Sequence, residues 1–120
     1  MTDLKKVLLA EGVGTMFLLI GVVGSGIMAQ RLSEGEEGLI LFQNAAATTA
    51  VLIAIISIFN KISADFNPAV TLAAWALGYR TRKEVVPVLI AQIGGGILGT
   101  VVANLMFDLS AISWSTTNRS

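Results

Sequence analysis

The sequence predicts an all-α membrane protein with three spanning helices and one re-entrant half-helix. Three observations carry that expectation. Hydrophobic residues make up 54% of the 120 residues and charged residues 13%, against about 45–50% and about 25% in ordinary soluble domains. Three apolar runs, 7–29, 39–59 and 85–107, are each long enough to cross a hydrocarbon core of about 30 Å. Between the second and third lies a fourth apolar segment, 68–77, which is too short to cross. It opens on Asn67-Pro68-Ala69 and stops at Gly78.

Each element has a local reason. The first run carries only Glu11, Thr15 and Ser25 as polar interruptions. Lys5 and Lys6 precede it, as in a signal peptide, but it is longer than a signal h-region and shows no clear small-residue cleavage site; it reads as a retained span. A polar loop from Gln30 to Glu37 follows. The second run has Gln43, Asn44, Thr48 and Thr49 near its start. In the short segment, Asn67 is a good N-cap, because its side chain can accept from an orphan N–H of the first turn. Pro68 suits the first helical position, with a preset φ and no N–H to leave unsatisfied. A helix of about eleven residues is roughly 16 Å long, half of what a span needs. The irregular chain before it can sit at membrane depth only inside protein or beside a water-filled cavity, which points to a channel or transporter. The turn Arg80-Thr81-Arg82-Lys83 leads into the third run, where Gly95 and Gly99, flanked by Gly94 and Gly96, form a small-residue packing face; Gly21 and Ser25 repeat that spacing in the first. Residues 1–107 thus read as one unit and 108–120 as a polar tail.

Composition also excludes. There is no His and no Cys, and the net charge is zero. Soft-ligand metal sites, thiol chemistry and disulfides are ruled out by residue type, and no basic face exists for nucleic acid. The carboxylates are scattered among loops and span ends, so no catalytic residues, no metal and no cofactor are expected, and the chain is not expected to be an enzyme. Lys5, Lys6, Lys61, Arg80, Arg82 and Lys83 fall on one side of the predicted topology, Arg31 and Arg119 on the other. The positive-inside rule then places the N-terminus in the cytoplasm and the tail outside, in an inner (cell) membrane whose lipid is the first partner.

With these residues in place the chain resembles the first half of the aquaporins, the major intrinsic protein family. Asn67-Pro68-Ala69 followed by Val70-Thr71-Leu72 looks like the family's first half-helix. Ala10-Glu11-Gly12-Val13-Gly14-Thr15 is similar to the opening of its first helix, Gly21 to Gly26 to that helix's glycine-rich end, and Ala91-Gln92-Ile93-Gly94-Gly95 to the start of its third. The resemblance runs through nearly the whole chain in order.

What the resemblance implies is specific. The fold would be one aquaporin repeat, and 108–120 would correspond to the loop joining the two repeats. The family is built from two inverted halves, each with its own half-helix, so a complementary second half or an oligomer is the expected partner. Water or small neutral solutes such as glycerol would permeate. Asn67 would donate to the permeating molecule, while Pro68 and Ala69 would fix its geometry. Ser63, Ala64 and Asp65 would line the pore along the dipping loop, with Asp65 where the family usually has histidine. Thr48 falls near the constriction position. Glu11, with Thr15, would brace the dipping loop, and Gln92 would give polar support.

Other readings of the same residues stay open at this level. Asn67 is also an ordinary N-cap. A carboxyl group in a membrane span is functional by default, so Glu11 could relay protons in a small proton-coupled transporter. The chain could also be a non-conducting fragment or an assembly subunit. Trp75 and Tyr79 read as packing or interfacial aromatics.

Overall fold

The computed structural model describes residues 3–115; Arg119 and the end of the polar tail lie outside the described residues. Four helices follow one another: α1 Asp3–Leu32, α2 Glu37–Phe59, α3 Pro68–Ala76 and α4 Arg82–Met106. No strand occurs among the described residues. The three long helices carry 18-residue windows of mean hydropathy 2.1, 2.1 and 2.0, and each is long enough to cross a bilayer. The chain is an all-α integral membrane protein, as its three apolar runs predict.

The helix ends differ from the hydropathy pattern by a few residues. α1 starts at Asp3 rather than near Val7 and continues through Gln30, Arg31 and Leu32. Hydropathy marks where a side chain is comfortable in lipid, whereas backbone hydrogen bonds continue into the polar interface. Arg31 in the last turn suits the negative end of the helix dipole. α3 ends at Ala76, with Leu77 as its C-cap and Gly78 at φ 86°. That left-handed conformation is the one glycine adopts without cost. Arg82 and Lys83, read as turn residues, form the first turn of α4, after Thr81 as N-cap.

α1 is the centre of the arrangement. It packs along α4 and α2, while α3 rests on α4. The α1–α4 crossing closes to backbone contact. A Cβ at Gly95 would collide with the carbonyl of Gly12, and one at Gly99 with the carbonyl of Met16, whereas a Cβ at Gly94 would meet nothing. The packing face is therefore Gly95 and Gly99. Small residues are what allow helix backbones to approach in lipid, where the hydrophobic effect supplies no drive. α2 is held more lightly. Gly21 admits the Val51 side chain, and Asn44 Nδ2 donates to Val22 O at 2.8 Å and to Ser25 Oγ at 2.9 Å.

Candidate functional site: the seat of the half-helix

The dipping loop between α2 and α3 returns to α1 and meets Glu11 there. Glu11 is completely buried, and both of its carboxylate oxygens are filled. Oε2 accepts from the Ser63 hydroxyl at 2.6 Å and from the Asp65 amide at 2.9 Å. Oε1 accepts from the Phe66 amide at 2.7 Å and from Gln92 Nε2 at 2.9 Å. A buried carboxylate costs several kcal/mol unless its lone pairs find donors, and here two loop amides, the Ser63 hydroxyl and the Gln92 side chain are those donors.

The bonds close into a ring. Gln92 Nε2 also donates to Thr71 Oγ1 at 2.9 Å, and the Thr71 hydroxyl donates to Asp65 Oδ2 at 2.8 Å. Arg80 Nε donates to the same Asp65 oxygen at 3.1 Å, and Arg80 Nη2 lies 3.0 Å from it. Nη2 also donates to Ser63 Oγ and stands 3.6 Å from Glu11 Oε2. Nη1 lies 3.4 Å from Glu84 in the first turn of α4. From Glu11 the circuit passes through Gln92, Thr71, Asp65, Arg80 and Ser63 back to Glu11. It joins α3 to α1, α4, the loop and the α3–α4 connection, so the half-helix is fixed at its buried side by four other parts of the chain.

Phe66 makes the turn into α3. Its φ is 56°, a left-handed conformation that costs a non-glycine residue roughly 1–2 kcal/mol. The hydrogen bond that its backbone N–H donates to Glu11 and the burial of the ring, 2% exposed, hold it there. The ring lies so close to Gly14 that any Cβ at position 14 would overlap it, and it meets Phe59 edge-on with centroids 6.0 Å apart.

At the next residue the chain caps α3. Asn67 Oδ1 accepts from the Ala69 amide at 2.9 Å, with Pro68 at the first helical position. Because the oxygen does the capping, the amide nitrogen is left to point away from the helix. Asn67 is exposed, and it opens with Pro68 into a cleft of about 640 Å³ whose other walls include Thr15, Gln92 and Asn104.

The sequence-predicted residues thus separate. Glu11, Ser63, Asp65 and Gln92 come together in the ring. The side chains of Ser63 and Asp65 point into it, Ser63 donating to Glu11 and Asp65 accepting from Thr71 and Arg80. Ala64 is half-buried beside them. Thr15 lies one turn above Glu11, but its Oγ1 has no hydrogen-bond partner among the described residues; it does not bond the loop. Thr48 is half-buried on α2, which does not touch α3, and the structure does not bring it to Asn67. Trp75 and Tyr79 are exposed. Sequence reasoning missed Arg80 and Thr71 as ring members. Thr71 had a faint signal, a polar side chain one turn after the N-cap in an otherwise apolar helix.

The sequence model of the major intrinsic protein family matches residues 1–118. The chain belongs to that family. Aquaglyceroporin AqpS of Rhizobium meliloti is 43% identical over 114 residues, covering 94% of this chain and 48% of the relative. Aquaporin Z of Photorhabdus laumondii is 38% identical over 95 residues, 79% of this chain and 41% of the relative. A probable aquaporin, AqpM of Archaeoglobus fulgidus, is 31% identical over 114 residues, 82% of this chain and 46% of the relative. The chain spans about half the length of these curated relatives. No solved structure matches it significantly.

Proposed function

We propose that residues 1–107 form one half of a passive channel for water or small neutral solutes such as glycerol, completed by a second half in the same polypeptide or a separate one. The observation that carries this is the capped start of α3. Asn67 spends its oxygen on Ala69 and keeps its amide donors free at the mouth of an open cleft. The helix terminus behind it carries about half a positive charge, which disfavours cations in the same place. A site that offers neutral donors and a positive field accepts the oxygen of water or an alcohol and repels a proton or a metal ion. Facing half-helices at the midplane are a recurrent transport architecture, and here only one side of such a pair is present among the described residues.

Within this reading Pro68 and Ala69 set the geometry of Asn67, Glu11 and Gln92 seat the half-helix, and Thr48 is the constriction candidate. The filling of all of Glu11 by four donors favours a supporting carboxylate over a proton relay, which needs an approach for the proton. The membrane is the inner membrane, with the N-terminus in the cytoplasm; a reporter fused after Ser120 should therefore be active only outside. The functional test is light-scattering shrinkage of proteoliposomes. The 120-residue chain alone should match protein-free vesicles, and addition of a complementary half should give water or glycerol flux. Robust flux from the chain alone would refute the half-pore requirement, and no flux from the pair would refute the channel.

A further inference from the structure

From the ring we infer that Arg80 is a positioning residue that sets charge selectivity, by neutralising Asp65 at the entrance of the half-helix; the inference rests on the channel reading for its selectivity and on geometry alone for the positioning. Two carboxylates meet here. Glu11 and Asp65 share a single guanidinium nitrogen, Nη2 of Arg80, at 3.6 and 3.0 Å. The arginine side chain is only 10% exposed and the Asp65 side chain 17%, so solvent screens the pair weakly. No other cation contacts either carboxylate among the described ion pairs. Glu84, the third carboxylate on Arg80, adds to the negative side.

The consequence is electrostatic. Asp65 stands two residues before Asn67, directly upstream of the positive end of α3. An unpaired carboxylate there would cancel the field that disfavours cations. Paired with Arg80, it contributes hydrogen-bond acceptors to Thr71 and the guanidinium while its charge is held in balance. Arg80 also keeps Glu11 and Asp65 from repelling one another across the loop whose amides Glu11 binds. One residue thereby does two things, holding the loop closed and offsetting one of the three carboxylate charges that oppose the positive end of the half-helix.

The two roles are read with R80Q and the double variant D65N/R80Q. In proteoliposomes holding the full chain with a complementary half, the ratio of K⁺ to water permeability is measured. A unit charge about 8–10 Å from a passing ion, at an effective dielectric constant of about 20, changes cation partitioning by roughly tenfold or more. R80Q should raise the ratio by about that factor, and D65N in the R80Q background should return it close to the parent value. In the full chain alone, hydrogen exchange at the Asp65 and Phe66 amides reads the positioning. R80Q should accelerate it and D65N/R80Q should slow it again, because the repulsion is gone. An arginine that merely fills space would show no rescue by a substitution on its partner. Absence of that rescue in exchange overturns the proposal whatever the flux, and an unchanged permeability ratio in R80Q overturns the selectivity role. A parent pair that passes no water fails the channel reading instead, and exchange then decides the positioning of the loop.

Discussion

α4 and α2 flank the same helix and are bound to it in opposite ways. α4 meets α1 backbone to backbone at Gly95 and Gly99 and reaches Glu11 through Gln92. α2 meets α1 through one Asn44 clasp and a Val51 knob at Gly21; Leu41, Phe42, Ile53 and Ile58 on its outer surface are between 63% and 70% exposed. The first interface completes itself inside this chain. The second leaves a helix whose apolar face must be covered by lipid or protein. In a membrane that difference follows from what can bind helices at all: an apolar side chain gains little by leaving lipid, so specificity comes from close backbone approach and buried polar groups.

The comparison can be broken where its effects are largest. Glu11→Leu removes the acceptor of four buried donors and should destabilise the α1–α3–α4 assembly by about 3–5 kcal/mol, read by thermal or steric-trapping unfolding in detergent; a variant as stable as the parent would show that the ring contributes no stability. Glu11→Gln preserves shape and part of the bonding and should cost less. Gly95→Val next forces a side chain into the Gly12 carbonyl and should cost about 1–3 kcal/mol; cysteine cross-linking between α1 and α4 should weaken with it. On the α2 side, Asn44→Ala should cost about 1 kcal/mol. Ile53→Ala or Leu41→Ala on the outer face should change stability by less than about 0.5 kcal/mol. A large loss at Ile53 would mean that α2 is already packed against protein in the state measured.

Much of this architecture was legible in the sequence because it is written locally. Apolar run lengths give the three spans, and Asn67-Pro68 gives the start of the half-helix, since a cap and a proline act on their own turn. Asn67, Glu11 and Gln92 could be singled out because each is polar where its surroundings are apolar. Arg80 could not. It stands in a turn with Arg82 and Lys83, where a basic residue reads as a topology signal, yet its side chain is buried among Glu11, Asp65 and Ser63. Its partners lie up to 69 positions away in the chain, and no local pattern marks such a meeting. The bonds that Ser63 and Asp65 make were illegible for the same reason, since their partners Glu11 and Arg80 lie 52 and 15 positions away. The extension of α1 to Leu32 was missed because polar residues end a hydropathy run without ending a helix.

The ring also imposes an order in time. Glu11 is made at the start of the chain, its loop partners come 52 to 55 residues later, and Gln92 comes 81 residues later. At roughly 5–20 residues per second, the ribosome adds Gln92 some 4–16 s after Glu11. Throughout that interval the first helix holds a carboxyl group whose mates do not yet exist. A pause or break in synthesis before Gln92 leaves that carboxyl group without its donor from α4.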